Sequence, residues 1–389
     1  MKTIECIGIK CVGCRSCEQS CPVHSIKMQI NKEGFLYPVI NKITCVECGI
    51  CLNKCPQNNS HKIERIPLKA YAFKEKDSER IFRSASGGVS DVVAGVILEN
   101  GGVVFGAAYD RELCVKHIEV KNEEDRKRIQ SSKYVQSDTL DTYSLVKQYL
   151  KTDKIVLYTG TPCQIDGLYR YLGEDFPNLF TLDLICHGVP SPLFFKRYIE
   201  YQESIFGEKI ETFNFRSKDK RGWGTQYLLK IKTETKTKTK TLSLDKYGKQ
   251  FMDGNCYRES CYDCKYANLH RPGDLTVGDF WGIDDVKSSF SSDLGVSSVL
   301  VNTKNGLELI NRIKNKAVLL EVSINDVLIK QHNLKDSTKR EDNRNQFYKN
   351  IDNKDFIEKL RIGLNINERV KQWIPKNIIR KLKKYKGAR

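Results

Sequence analysis

Cys11-Val-Gly-Cys14-Arg-Ser-Cys17-Glu-Gln-Ser-Cys21-Pro22 decides the first part of the fold, and Cys45-Val-Glu-Cys48-Gly-Ile-Cys51-Leu-Asn-Lys-Cys55-Pro56 repeats its pattern. Both runs follow the spacing C-x2-C-x2-C-x3-C-P, which is typical of bacterial ferredoxins with two [4Fe-4S] clusters. In that pattern three cysteines of a run bind one cluster, and the fourth crosses to the other. The spacing therefore predicts one cluster on Cys11, Cys14, Cys17 and Cys55, and a second on Cys45, Cys48, Cys51 and Cys21.

Two other uses of these cysteines are disfavoured by the pattern. Zinc sites usually take their ligands as two separated pairs rather than as a triple plus one. Disulfides need an oxidising compartment. The start of the sequence lacks an apolar segment, so we expect no signal peptide. Apolar runs such as Val92 to Leu98 are too short to span a membrane. We therefore expect a cytoplasmic, reducing setting.

The charge of the chain is uneven. The 389 residues leave room for two or three domains and carry a formal net charge of +17. About half of the excess lies in residues 370–389, which hold eight Lys/Arg and no Asp/Glu. The rest is mixed, so we expect no specific nucleic-acid binding, only weak salt-dependent contact.

The order of predicted elements indicates a mixed α+β and α/β fold. Residues 1–60 form the small two-cluster module, with a hairpin turning at Asn31 to Gly34. Strands and helices then alternate, which is typical of a sheet with parallel strands. We divide this body into parts 68–155 and 156–335. A lysine-rich antiparallel ribbon follows near 210–242, and we expect the last third to be helical, with an extension at 336–389 that ends in a basic amphipathic tail.

Four further cysteines favour a third cluster. Cys163 and Cys186 each follow a predicted strand, at the edge where ligands gather in such sheets. Cys261 and Cys264 form a C-x2-C pair. We expect a third [4Fe-4S] cluster on these four, with Cys256 as an alternative ligand. Buried cysteines or a zinc half-site are the other interpretations, and Cys163, at a helix start, also fits a redox-active thiolate.

Five segments resemble one known family in sequence and in order. They are Ser131–Ser137, Gly160–Leu168, Asp183–Pro192, Ser260–Cys264 and Asp274–Gly282. Together they resemble the beta subunits of deazaflavin-coenzyme-dependent (coenzyme F420) hydrogenases and dehydrogenases, whose relatives include ferredoxin-linked flavoproteins. The resemblance implies a flavoprotein-type body that passes electrons between clusters and a flavin, usually FAD and less often FMN. It does not establish that the deazaflavin coenzyme is used.

The resemblance also guides the choice of flavin-site residues. The helix start near Gly88 suits a phosphate, and polar groups elsewhere suit the ring. The predicted flavin contacts are Ser84, Ser86, Gly87, Gly88, Lys133, Tyr134, Gln136, Thr161, Gln164 and Asp279. His187 is the predicted proton carrier. The alternatives are an ordinary capped helix start, a surface loop, a strand end at Asp279 whose aromatic pair Phe280 and Trp281 is part of the core, and a structural histidine.

Two classes of function follow from these predictions. The first is a flavin-dependent oxidoreductase fed by its own clusters, acting on a small-molecule substrate or a deazaflavin-like coenzyme. The second is an electron-transfer subunit with no substrate of its own. Both need a protein electron donor or acceptor. The tail, with Trp373, Ile378 and Leu382 among its lysines, predicts peripheral contact with an anionic membrane, and packing on the protein body is the alternative.

Overall fold

The structure is a computed structural model that describes residues 3–58, 63, 65–219, 222–224, 228–360 and 362. Its strands are β1 (Ile26–Ile30), β2 (Leu36–Ile40), β3 (Lys69–Glu75), β4 (Val103–Tyr109), β5 (Val115–Val120), β6 (Val156–Gly160), β7 (Leu179–Leu184), β8 (Ile210–Ser217), β9 (Leu228–Thr233), β10 (Thr237–Thr241), β11 (Leu275–Asp279), β12 (Ser297–Val301) and β13 (Ala317–Val322). Its α-helices are α1 (Ser16–Gln19), α2 (Ile50–Asn53), α3 (Ser78–Arg83), α4 (Val89–Glu99), α5 (Glu123–Ile129), α6 (Thr142–Leu150), α7 (Pro162–Leu172), α8 (Pro192–Phe206), α9 (Lys246–Met252), α10 (Ile283–Lys287), α11 (Lys304–Ile313), α12 (Ile324–Leu328), α13 (Arg344–Lys349) and α14 (Phe356–Lys359).

The N-terminal module has the predicted hairpin. Strands β1 and β2 pair antiparallel from Ile26↔Ile40 to Ile30↔Leu36. Asn31 closes the turn, because its side chain accepts hydrogen bonds from the N–H groups of Glu33 and Phe35. The two short helices α1 and α2 each begin inside a cysteine run, so the two runs are repeated in structure as well as in sequence.

An eight-stranded sheet forms the body, in the order β13-β3-β12-β11-β7-β6-β4-β5. The central strands β4, β6, β7 and β11 are parallel, and antiparallel strands flank them on both sides. The carboxyl ends of β3, β4, β6, β7 and β11 therefore meet at one edge, as predicted for the central ones. The sheet takes strands from both 68–155 and 156–335, so it continues across the division placed there.

Two apolar layers cover the sheet. Helices α4 and α11 pack Val92, Val93 and Leu309 on one face. Helices α6 and α7 pack Val146 and Leu168 on the other. Each fully buried aliphatic side chain of this kind contributes about 2 kcal/mol of transfer free energy, so the sheet is a rigid base for the loops at its carboxyl edge.

The prediction for the last third was wrong in part. This region supplies β12 and β13, because their short buried runs complete the sheet beside β3. The short helices α13 and α14 follow within the described residues. Helix α6 begins only at Thr142, since Asp138 forms a bridge with Lys116 and Leu140 has a φ of 50°. The predicted amphipathic tail at 370–389 lies outside the described residues.

Strands β8, β9 and β10 form the predicted antiparallel ribbon, in which Lys238 and Lys240 lie on the edge strand β10. Among the described residues, we find no helix that combines the length and apolar character needed to cross a membrane.

Candidate iron–sulfur and cofactor site

The first four cysteines lie together between the module and the body. Cys14, Cys17 and Cys55 are buried and Cys11 is half-buried. Burial raises the pKa of the Cys14 thiol, and the neighbouring thiols of Cys55, Cys17 and Cys11 raise it further. The backbone N–H of Gly13 approaches Cys11 Sγ at 3.4 Å, and that of Gln57 approaches Cys55 Sγ at 3.4 Å. We call Cys11, Cys14, Cys17 and Cys55 the first thiol set.

The other four cysteines of the module surround one small pocket at its outer surface. Cys21, Cys45, Cys48 and Cys51 all line it, together with the apolar side chains of Val23 and Val46. Burial raises the pKa of the Cys51 thiol, and Cys48 and Cys21 add to the increase. Cys48 is exposed, so this second thiol set is open to solvent. Cys21, Cys45, Cys48 and Cys51 thus share one pocket, and their assignment to one cluster stays a prediction.

A third thiol set lies at the carboxyl edge of the sheet. Cys163 begins α7 after β6, Cys186 follows β7, and Cys261 and Cys264 lie in the loop before β11. Burial raises the pKa of the Cys261 thiol well above its ordinary value, and Cys186, Cys264 and Cys163 raise it further. The pKa of Cys186 rises to about 12, through burial and the neighbouring thiols of Cys163 and Cys264. All four thiols therefore lie within electrostatic reach of one another.

The alternative fifth cysteine lies elsewhere. Cys256 is fully buried in an aromatic core with Tyr247, Tyr257 and Tyr348. Tyr348 donates its hydroxyl proton to the Cys256 carbonyl at 2.5 Å. The aromatic core, rather than the other thiols, surrounds Cys256. Burial raises the pKa of Cys163 to about 11, which disfavours the thiolate nucleophile.

The donor chemistry of the three sets fits [4Fe-4S] clusters. Each set offers four thiols, and a cube is held by one thiolate on each of its irons. Within the parts of the chain that the structure describes, no three His, Cys, Asp or Glu side chains converge closely enough to hold a single ion. Burial raises the pKa of both Cys264 and Cys163, and two buried arginines near the third set oppose this rise, Arg271 at Cys264 and Arg258 at Cys163. These cations would offset the charge of bound thiolates.

Buried polar contacts fix the module on the body with its first thiol set inward. Arg258 is 1% exposed and donates to the carbonyl of Cys11 at 2.6 Å. The same guanidinium donates to Leu36 O at 2.8 Å and to Gln136 Oε1 at 3.1 Å. Gln136 in turn donates to Val12 O at 2.8 Å. The predicted flavin contact Gln136 is therefore part of the module–body interface.

His187 directly follows Cys186 of the third set. Its side chain is exposed, yet burial by the surrounding protein lowers the pKa of its imidazole, and Asp279 and Arg216 also act on it. Asp279 is fixed by Arg216 at 2.8 and 2.9 Å and by the indole N–H of Trp223 at 2.6 Å.

Tyr134 lies beside this group. Its hydroxyl accepts a hydrogen bond from Arg216 at 3.0 Å, and its ring stacks on Phe251 with centroids 4.2 Å apart. His187, Asp279 and Tyr134 are thus brought together, as the flavin prediction requires.

The predicted phosphate loop has a different chemical environment. Ser86 donates to Val296 O at 2.8 Å, and a Cβ on Gly87 would lie 2.3 Å from the carbonyl oxygen of Phe73. Glu75 occupies the space beside Gly88. Burial raises the pKa of the Glu75 carboxyl to about 8, and Asp91 adds to the increase. A phosphate at this helix start would meet two carboxyl groups, so the phosphate contact at Ser84, Ser86, Gly87 and Gly88 stays a prediction without geometric support.

Three other predicted contacts serve the local fold. Lys133 donates to the carbonyls of Gln130 at 2.8 Å and Arg128 at 2.9 Å, which closes the end of α5. Gln164 accepts from the N–H of Thr161 at 3.0 Å and donates to Ser137 Oγ at 3.0 Å. The Thr161 hydroxyl lies 3.2 Å from Cys163 Sγ. Thr161 therefore contacts the third thiol set directly.

Sequence reasoning did not find Arg258, Arg271 or Gly167 as site residues. A lone arginine near a cysteine pair has no distinctive sequence pattern. The first-set residues that contact Arg258 and Gly167 lie far away in the sequence. Gly167 and Arg258 gain significance only when the module is in place, since Gly167 faces Cys14. The family segment that contains Gly167 was the one signal available.

The paired cysteine runs define the N-terminal part of the chain as an iron–sulfur module of ferredoxin type. Residues 10–59 match the 4Fe-4S dicluster domain. Residues 153–327 match the C-terminal domain of the coenzyme F420 hydrogenase/dehydrogenase beta subunit family. The resemblance found in the sequence to these beta subunits is thereby confirmed.

Two individual proteins are similar to parts of the chain. The ferredoxin-type protein NapF of Haemophilus influenzae is 30% identical over 56 residues, which are 14% of this chain and 32% of the relative. The chain thus spans about a third of the length of this curated relative. A chain of the F420-reducing [NiFe] hydrogenase complex from Methanosarcina barkeri is 18% identical, with a TM-score of 0.47, over 67% of this chain and 84% of that one.

Proposed function

We propose that the chain is an iron–sulfur flavoprotein oxidoreductase that transfers electrons between a protein carrier and a two-electron substrate. The observation that carries this proposal is the gathering of four thiols beside His187 and Asp279, with the first thiol set of the module held against the same loop by Arg258. A flavin in a cleft beside these residues would supply the exchange between one-electron and two-electron chemistry.

The residues of the chain have distinct roles in this proposal. The three thiol sets hold three [4Fe-4S] clusters. Arg216 and Trp223 orient Asp279, which with Tyr134 would position the flavin ring. His187 would hold or release a proton at the cleft, because its lowered pKa keeps the imidazole neutral near pH 7.

The orientation of the module gives the electrons an order. Two hydrogen bonds join the first set to the loop that carries Cys261 and Cys264. Arg258 donates to the carbonyl of Cys11, and Lys265 donates to the carbonyl of Pro56, which follows Cys55. The second set lies at the outer surface, near Ile43, which is 96% exposed, and Val46, which is 61% exposed. An exposed apolar patch often marks a protein contact, so a protein electron carrier would dock at the second set.

The substrate class follows from the flavin rather than from a built pocket. A small molecule or coenzyme that accepts or donates two electrons is expected. The deazaflavin coenzyme F420 is the first substrate to test, because residues 153–327 match a family of coenzyme F420 hydrogenase and dehydrogenase beta subunits. The cytoplasm suits such clusters, and membrane contact through residues 370–389 stays a prediction.

Anaerobic reconstitution tests the proposal. Full-length protein is loaded with iron and sulfide, mixed with FAD or FMN, and separated from free flavin by gel filtration. We expect bound flavin that is reduced by a reduced bacterial ferredoxin, a protein too large to enter the cleft. The matched variant Cys261→Ser/Cys264→Ser should bind flavin but reduce it far more slowly.

Two outcomes contradict the proposal in different ways. Protein that takes up neither flavin rules out the oxidoreductase and leaves an electron-transfer subunit. Equal flavin reduction in the wild type and the double variant removes the third thiol set from the electron route.

A further inference from the structure

Gly167 lies where the module meets the helix that carries Cys163. It is buried in α7, one turn after Cys163. A Cβ built on Gly167 would lie 2.9 Å from both Cβ and Sγ of Cys14 and 3.0 Å from the hydroxyl oxygen of Tyr143. Any side chain larger than hydrogen would therefore push the first thiol set away from α7.

The backbone of α7 continues this contact to the third thiol set. In an α-helix the N–H of residue 167 donates to the carbonyl of residue 163. Gly167 is thus one hydrogen bond from Cys163 and in direct contact with Cys14. The side chains nearby sense both thiols, because burial raises the pKa of Tyr143, and Cys14 and Cys163 each add to the increase.

A second connection joins the same two sets. Lys265 directly follows Cys264 and donates from its Nζ to the carbonyl of Pro56, which directly follows Cys55. Lys265 also forms an ion pair with Asp166 at 3.3 Å, and this holds it against α7. Both connections start from ligands of the first set, whereas the second set faces outward.

We infer that the Cys14–Gly167–Cys163 contact is the point at which electrons pass between the module and the body, and that Gly167 sets the distance between the first and third clusters. The inference rests on the proposed function for the third thiol set. An electron that crosses here oxidises the group on the first set by one electron and reduces the group on the third by one electron. The transfer forms no bond and moves no proton.

The substitution Gly167→Ala tests this inference, with Gly95→Ala as its matched control. Both glycines are buried inside long helices, but a Cβ on Gly95 would meet its nearest atom, Arg126 Nη1, at an ordinary 3.5 Å. At Gly167 the neighbours must retreat by about half an ångström to reach such a contact. Electron tunnelling weakens exponentially with distance, so this small retreat matters.

Two readouts measure the effect on reconstituted full-length protein. Electron paramagnetic resonance of the reduced protein reports the spin–spin interaction between the first and third clusters. Rapid mixing with a reduced ferredoxin reports how fast the third cluster is reduced. We expect Gly167→Ala to keep wild-type iron content, lose part of the spin–spin interaction and slow reduction of the third cluster. Gly95→Ala should match wild type in both.

A second variant, Lys265→Met, tests the inference if Gly167→Ala fails to fold. Lys265 is exposed, so we expect its substitution to leave the fold intact. It should weaken the spin–spin interaction while preserving the iron. Wild-type interaction and reduction rate in Gly167→Ala, or in Lys265→Met when the first does not fold, would overturn the inference. A wild-type protein with iron for only two clusters would instead overturn the proposed third cluster, and the crossing with it.

Discussion

The two thiol sets of the module each take three cysteines from one run and one from the other, but they have opposite surroundings. The first thiol set, whose Cys14, Cys17 and Cys55 are buried, faces the body and contacts Gly167 and Arg258. The second set faces solvent, with Cys48 exposed and Val46 beside it. The spacing determines which thiols can share a cluster. The tertiary contacts determine which cluster passes electrons inward and which receives them from outside.

We expect the largest effect from replacing Arg258, which holds the first thiol set against the body. The substitution Arg258→Met leaves the carbonyls of Cys11 and Leu36 without their donor, and Gln136 loses one partner. Buried acceptors that lose a charged donor cost about 1.5–3 kcal/mol each, so we expect a loss of about 3 kcal/mol or more in the free energy of unfolding. Anaerobic urea unfolding measures it. The control Arg312→Met, which breaks an exposed helical pair with Glu308, should cost about 0.5 kcal/mol. Equal losses would show that the module is not held by Arg258.

Exposure to air should separate the two sets of the module. Oxidation of thiolates follows their exposure, so the second set should release its iron several-fold faster than the first. Iron release and electron paramagnetic resonance spectra, followed after transfer from anaerobic buffer to air, measure the order. Simultaneous loss, or earlier loss from the first set, would contradict the difference in burial on which the comparison depends.

The smallest expected effect is a change in the pH dependence of stability at Glu75, which lies at the end of β3. The pKa of Glu75 is raised from 4.5 to about 8, mainly by burial and then by Asp91. The folded protein therefore binds more protons than the unfolded chain between these values, and the stability from this group is lost as pH rises through about 8. Glu75→Gln should flatten the fall in stability between the two pKa values, from 4.5 to about 8. An unchanged slope would show that Glu75 is already ionised in the fold.

Local patterns predicted what depends on neighbours in sequence. The cysteine spacing separated two thiol groups, Asn31 to Gly34 marked the hairpin turn, and the strand ends before Cys163 and Cys186 indicated a shared edge. Each of these features depends on a few consecutive residues.

Contacts between distant segments were beyond the sequence. Gln136 has the composition of a cofactor contact, yet it bonds to Val12 and Arg258. Strands β12 and β13 are short, so their pairing with β3 was hidden within a polar region. The carboxyl of Glu75 reached the start of α4, where a phosphate had been expected, because β3 ends beside it.

The proposed electron route depends on a cluster at the third thiol set, and the iron content per chain tests directly whether that cluster exists. Wild-type protein and Cys261→Ser/Cys264→Ser are reconstituted side by side without oxygen, and iron is measured per chain. Because each cube depends on its own thiolates, we expect the double variant to lose about a third of the iron while the module keeps both of its clusters. The same iron content in both proteins would show that Cys261 and Cys264 hold no cluster.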